Sequence, residues 1–392
     1  MSLQLDARLT ALREQKPFPR FSPEEMARRR HVLLAAMEYA GVDHLLVCGE
    51  QRSGSCVPWL TGWPVTTEAL VIVSPSDESL MFMEYYNHWP LAKRMAHATQ
   101  VQWGEHVGID KVVEELKRRG AKRLGVIGPL SYRKGKKLEA AFEALVEMNR
   151  AYVDLRLIKS AEEIDWLRIG AAYSDAAIEA LRRELKPGLT ERDLLDITEH
   201  AYVPHGGVTQ IHYFGATSMR NPDCCVPRQF PENRAIGAGD VVFCEISGSF
   251  WDYAGQVLRT FTVADDPTPL YQDLYAAAEA AFDAIAAVLR AGTTTRQIIE
   301  VSGVIEKGGF TTCDDVMHGY GGGYLPPVLG SQSRPAGPIP DMALQAGMCV
   351  VIQPNPITRD QRAGVQVGEL VHITEHGFER LHKVPRAMFR VG

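Results

Sequence analysis

The chain contains two copies of one pattern, and that repeat limits the fold more than any other feature. Residues 171–195 read Ala-Ala-Tyr-Ser-Asp-Ala-Ala-Ile-Glu-Ala-Leu-Arg-Arg-Glu-Leu-Lys-Pro-Gly-Leu-Thr-Glu-Arg-Asp-Leu-Leu. They return 104 residues later, at 275–299, as Tyr-Ala-Ala-Ala-Glu-Ala-Ala-Phe-Asp-Ala-Ile-Ala-Ala-Val-Leu-Arg-Ala-Gly-Thr-Thr-Thr-Arg-Gln-Ile-Ile. Each copy is a long helix stopped at Gly188 or Gly292 and restarted by a capping Thr190 or Thr294. Alanine-rich helices resemble one another by accident, but accident does not also match the Gly, Thr and Arg that follow. Two copies so far apart do not make a solenoid array. The pattern predicts a domain of two similar halves related by a pseudo-twofold axis, with helices outside a curved antiparallel sheet.

Residues 20–150 follow another rhythm. A helix over 23–40 leads into an apolar strand at 44–48. Further strands are expected at 69–73, 80–83 and 123–127, with helices near 107–119 and 135–148. Short apolar strands alternating with helices make an α/β layer. The joint is Leu155-Arg-Leu-Ile-Lys-Ser160, ahead of an acidic helix start, which sets two domains, 1–155 and 156–392.

At 392 residues there is chain enough for both. A net charge of −6 leaves no electrostatic footprint for nucleic acid or an anionic membrane. No run approaches the roughly 20 apolar residues of a membrane span, and residues 1–19 are too charged for a signal peptide. Seven scattered cysteines without a CxxC point to reduced thiols and a cytoplasmic protein.

A series of short motifs then falls in order. They are Trp59-Leu-Thr-Gly-Trp63, the joint from Leu155 to Ile164, and Glu245-Ile-Ser-Gly-Ser-Phe-Trp-Asp-Tyr-Ala-Gly-Gln256-Val-Leu-Arg259-Thr-Phe. Next come Met317-His318-Gly-Tyr-Gly-Gly-Gly-Tyr324-Leu325, Ala346-Gly-Met-Cys-Val-Val-Ile-Gln353-Pro354 and Gly364-Val-Gln-Val-Gly368-Glu369. In that order they resemble the creatinase/prolidase family, which includes the Xaa-Pro peptidases, along nearly the whole chain. The resemblance implies an α/β N-terminal domain plus an α+β pita-bread C-terminal domain with a pseudo-twofold internal repeat.

The departures from that family bear on chemistry. Its two-metal peptidases use two Asp, one His and two Glu, and the matching positions here read Glu245, Gln256, His318, Gln353 and Gly368. A neutral amide is a weak ligand for a hard divalent ion. Two bridging carboxylates normally offset the charge of two ions about 3.5–4 Å apart. Glu369 sits one residue past the lost ligand, and one step along a strand turns a side chain to the other face. It could rejoin the site only through a bulge. The expectation is no metal, no cofactor, and a place outside the metallopeptidases. Returning carboxylates to 256, 353 and 368 is the substitution set that could restore an ion.

Creatinase is the family's metal-free precedent. It works on a C–N bond of a guanidinium compound, with a histidine ahead of the hairpin and glutamates that grip the cation. Those positions correspond to Arg228, Leu258 and Gln353, which makes creatine itself a poor fit. Arg228 points instead to an anionic group on the ligand, held bidentately, unless it lies on the rim facing water. His318 is the group that could move protons near neutral pH, with Glu245 to orient or charge it. The plainer reading is a structural histidine left over from a metal site. Leu325 replaces the family's next histidine and makes the pocket more apolar. His212, Tyr213, Phe214, Tyr324 and Trp63 would wall the substrate, although each such aromatic residue is more often simple core packing. Cys224 and Cys225, near Arg228, offer a nucleophile if the arginine lowers a thiol pKa; buried structural thiols are commoner.

These residues point to a metal-independent, creatinase-like hydrolase or lyase acting on a C–N bond of a small polar compound. His318, Glu245, Gln256 and Gln353 would be catalytic, and Arg228, His212, Tyr213, Phe214, Tyr324, Trp63 and Glu369 would meet the substrate. Two alternatives stand beside it: a non-catalytic member of the Xaa-Pro peptidase family, and an active Xaa-Pro dipeptidase or aminopeptidase. The resemblance also implies a homodimer, with the turn 63–67 reaching the partner's pocket. No nucleic-acid or membrane partner is expected.

Overall fold

The computed structural model describes residues 3–51 and 53–392. They divide into two compact units: Gln15–Arg156, and Leu157–Gly392 together with the described residues before Gln15. The helix Ala7–Arg13 therefore leaves the domain in which the sequence boundary put it. Arg8 ion-pairs with Asp165, and the Lys383 ammonium donates to Gln4 O at 2.7 Å.

The first unit is built on a six-stranded sheet in the order Thr99–Trp103, Ser79–Met83, Ala69–Val73, His44–Gly49, Arg123–Ile127, Ala144–Glu147. Its central strands are apolar beyond the polar residues His44 and Arg123 that open two of them, because both faces are covered. Leu45, Val47, Val71 and Val73 pack with Leu33 and Met37 of the helix Pro23–Ala40. Leu46, Leu70 and Ile72 pack with Ile109, Val112 and Leu116 of the helix Gly108–Arg118. Two strands were not expected. The helix foreseen over 135–148 ends at Ala141, and Ala144–Glu147 instead pairs in parallel with Arg123–Ile127. An open sheet edge overrides the helical preference of Ala-Leu-Val-Glu.

In the second unit the repeat appears as two helix pairs, each restarted by a capping box. Ala161–Glu184 is followed by Glu191–His200, where the Thr190 side chain accepts from Asp193 N and Asp193 reaches back to Thr190 N. Pro269–Val288 is followed by Thr295–Ser302, capped in the same way by Thr294 and Gln297. The helices lie on a nine-stranded pita-bread sheet. Seven strands run in the order Tyr324–Leu329, Met317–Tyr320, Cys349–Ile352, Gly368–Ile373, Tyr253–Val263, Asp240–Phe250, Val208–Ser218, while Phe378–Arg380 pairs with Gly368–Ile373 and Phe389–Val391 with Tyr253–Val263. The helix Ala161–Glu184 lies unusually close to it. A Cβ at Gly170 would stand 2.3 Å from Tyr253 O, and one at Gly255 would stand 2.2 Å from Ala171 Cα. Only glycine permits that approach. Among the described residues no helix is long and apolar enough to cross a membrane.

Candidate functional site

Strand pairing decides which side chains meet. Directly opposed residues of an antiparallel pair share a face. Glu245 stands opposite Tyr213 and Leu258, and Ser247 opposite Gln256. Leu258 stands opposite Gly368, and Val351 opposite both Leu370 and His318. Alternation then sets Glu245, Ser247, Gln256, Leu258, Gly368, Gln353 and His318 on the inner face of the curl. The other face, with Gly248 and Gly255, lies against the long helix, where Ser174 Oγ accepts from Gly248 N at 2.8 Å.

On the inner face the four residues expected to be catalytic form a short chain. The Gln256 amide donates to Glu245 Oε1 at 2.6 Å and to Gln353 Oε1 at 3.3 Å. His318 is fully buried, and its Nδ1 lies 3.1 Å from Gly319 O. A carbonyl only accepts, so Nδ1 carries the hydrogen and Nε2 bears a lone pair. That Nε2 makes no well-formed hydrogen bond, while the Gln353 side chain lies near enough to favour its protonated form. The Tyr324 ring stacks on the imidazole with centroids 3.9 Å apart. The expected Glu245–His318 contact is absent; the two glutamines stand between them.

The electrostatics follow from burial. Desolvation pushes the Glu245 carboxyl up to about 8, helped by the negative charges of Asp314 and Asp315. It pushes His318 down to about 4, so the ring is neutral at pH 7. It also pushes Asp315 up to about 7. Asp314 accepts from Asn355 Nδ2 at 3.4 Å and from Gln366 Nε2 at 3.2 Å. Asp314, Asp315 and Gln366 were missed in the sequence. An Asp pair just ahead of Val-Met-His318 was the available signal.

Several expected residues lie elsewhere. Glu369 faces the opposite side, fully buried between Arg259 at 2.9 Å and Arg380. Burial works against its charge, but the two guanidiniums hold it down to about 2. Arg228 offers no anion anchor, because Glu191 at 2.6 Å and Glu232 at 2.9 Å already hold its guanidinium. His212 is on the helix-covered face. Its Nδ1 accepts from Ser247 N, so its Nε2–H donates to the Tyr202 hydroxyl at 2.6 Å, and burial pushes it down to about 4. Phe214, one step from Tyr213, is buried on that same face, while half-buried Tyr213 stays beside Glu245. Trp63 belongs to the core of the first unit. Burial raises both vicinal thiols, Cys225 to about 12, so neither is an activated nucleophile.

A helix-covered, twofold-repeated sheet with a polar cluster on its inner face defines the pita-bread class of hydrolases. The chain belongs to metallopeptidase family M24, whose model matches residues 165–375. It is 26% identical to an uncharacterized hydrolase/peptidase of Sinorhizobium fredii across 95% of this chain and 97% of that one. It is 22% identical to an Xaa-Pro dipeptidase of Pyrococcus furiosus across 93% and 100%. Among solved structures, an Xaa-Pro dipeptidase of Bacillus anthracis matches with a TM-score of 0.80 at 21% identity, covering 93% of this chain and all of that one. The expectation of a place outside the metallopeptidases is thereby overturned, since the family match sets the chain among them.

Membership implies a metal pair, and the residues present do not fit one. Gln256 and Gln353 stand at the positions where the family has ligands, yet the Gln256 amide donates to both Gln353 and Glu245. Among the described residues no three His, Cys, Asp or Glu side chains group as a metal site. At Gly368 even a Cβ would meet Ile352 O at 2.6 Å and the Leu258 side chain at 2.9 Å. Gly368→Glu should therefore not restore an ion. It should lower stability by about 1–3 kcal/mol as an overpacked substitution, read as a shift in the urea midpoint. An unshifted midpoint with new metal binding would contradict this packing.

Proposed function

We propose that this chain hydrolyses the C–N bond of a short peptide or peptide-like amide on the inner face of the sheet. The observation that carries the proposal is the open Nε2 of His318, a lone pair in a dry site, across two glutamines from the Glu245 carboxyl. His318 Nε2 takes a proton from water as the water oxygen adds to the carbonyl carbon. Gln353 Oε1 then accepts from the protonated ring. The C–N bond breaks as Glu245, held by Gln256, gives its proton to the leaving nitrogen. An acid and an amine result, and the proton on His318 returns through solvent to Glu245. Relatives named as Xaa-Pro dipeptidases support a peptide substrate.

A neutral base and a protonated acid coexist only between the two pKa values, about 4 and about 8. Turnover should rise through the first and fall through the second. The test is hydrolysis of a dipeptide panel that includes glycyl-proline, from pH 3 to 9, with and without added Mn²⁺. His318→Ala should lower kcat by about 10²–10⁴. Absence of turnover under every condition would refute the proposal and favour binding without catalysis. That second reading is supported by the hydrogen bond from Gln256 to Gln353, two amides bonded to each other at the family's ligand positions. A homodimer belongs to the same proposal, resting on family membership, and light scattering showing a monomer would remove it.

A further inference from the structure

The turn from Pro356 to Gly364 clamps together two segments that lie far apart in sequence. On one side Thr312 stands opposite Pro356, and Arg359 Nε donates to Gly309 O at 3.2 Å. On the other the Arg362 guanidinium donates to Pro222 O at 2.9 Å and to Asn221 Oδ1 at 3.0 Å. Ile357 bridges to Gly364 across the turn, and a Cβ at Gly364 would stand 2.1 Å from Cys225 O. Cys224, Ala363 and Val365 share one core cluster, and Phe310 packs against it. The clamp sets Cys225 beside Cys313, and the two thiols meet side chain to side chain. Both are reduced, Cys225 buried and Cys313 half-buried. Asp314 and Asp315 follow Cys313 directly.

We propose that Cys225 and Cys313 are a redox-modification site, closing to a disulfide that tethers the loop of Asp314 and Asp315 to segment 221–225. The reaction needs a small disulfide such as oxidised glutathione. The Cys313 thiolate attacks one of its sulfurs and expels the other as a thiolate, which takes up a proton. Cys225, its proton lost to solvent, then attacks Cys313 Sγ, and the second small thiol leaves. Two protein thiols are oxidised, and one small disulfide is reduced to two thiols. Cys313 acts first because an oxidant can reach it, and because the Cys225 S–H and the charge of Arg334 favour its thiolate. Burial, joined by the charge of Asp314, opposes that ionisation and leaves the thiol above its ordinary pKa. Closure is therefore slow at neutral pH and speeds up by about tenfold for each pH unit below that pKa. Joining residues so far apart in sequence removes freedom from the unfolded chain, so the oxidised protein should melt higher.

In the test, the native chain is held with excess oxidised glutathione at pH 7, 8 and 9, quenched with an alkylating agent and mapped as unreduced peptides by mass spectrometry. A peptide pair joined through Cys225 and Cys313 is expected, released by dithiothreitol, at a rate of formation that climbs with pH. In Cys225→Ser the glutathione should stay on Cys313, since nothing displaces it. Amide exchange over residues 313–316 should slow severalfold on oxidation. Glutathione retained on Cys313 of the native chain, a bond from Cys313 to another cysteine, or both thiols untouched at pH 9 would overturn the site. An oxidised chain that melts no higher, or exchanges no more slowly, would overturn the tether. None of these readouts needs turnover, so they stand apart from the hydrolytic reading.

Discussion

Glu245→Gln is expected to stabilise the protein at pH 8 while lowering turnover by at least about 100-fold. The glutamine keeps the size of the side chain and the oxygen that accepts from Gln256, but it has no proton to give. The stability change follows from linkage. A carboxyl whose folded pKa is raised from about 4.5 to about 8 imposes no penalty below the lower value. Stability is then lost as pH rises, until the folded form ionises near the upper value. At about 1.4 kcal/mol per unit, removing the carboxyl should recover on the order of 4 kcal/mol at pH 8 and almost nothing at pH 4. Urea titrations of both proteins at the two pH values give the comparison. A variant equally stable at both, or still active, would show that Glu245 is not the buried acid described above.

The opposite sign is expected for Glu369→Gln. Its carboxylate is fully buried between Arg259, also fully buried, and Arg380. Arg259 spends its remaining donors on the carbonyls of Leu258, Gly368, Val384 and Pro385. Neutralising Glu369 leaves a guanidinium in the core without a counter-charge, which costs about 3–5 kcal/mol. Because the folded pKa of Glu369 is depressed to about 2, its contribution is present above the unfolded value near 4.5. That contribution is lost as pH falls toward 2. The native protein and the variant should therefore converge in stability at acid pH. Glu379→Gln, at an exposed pair with Arg168, is the control and should cost under about 1 kcal/mol.

Much of the fold was legible because its signals are local. Gly188 with Thr190 and Gly292 with Thr294 announced two capped helices, and both capping boxes form. Parity along a strand separated Gly368 from Glu369 before any coordinates. The same parity, carried through the register, also puts His212 and Phe214 on the far face from Tyr213, but only once the partner strand is known. Arg228 was misjudged because its neutralising Glu191 lies far away in sequence, at the start of a helix. Asp314 and Asp315 were passed over because their place just ahead of Val-Met-His318 signals nearness to the site but not whether the two carboxylates face solvent or a buried cluster. Trp63 was assigned to a wall, yet it is buried in the core of the first unit beside Trp59 and Leu60, a packing that its neighbours in sequence do not announce.

The neighbouring pair Gly368 and Glu369 has a consequence for how this chain could change over generations. Single substitutions exchange side chains but leave each position on its face. The carboxylate at 369 is one residue from the inner surface, yet no substitution moves it there, and the glycine beside it has no room to acquire one. An insertion or deletion that slid the strand by one would bring Glu369 inward, but it would strip Arg259 of its counter-charge in the same event. Stability of the core and a carboxylate on the inner face are thus locked out of each other by register. The core around Arg259 would have to be rebuilt before this strand could offer that carboxylate.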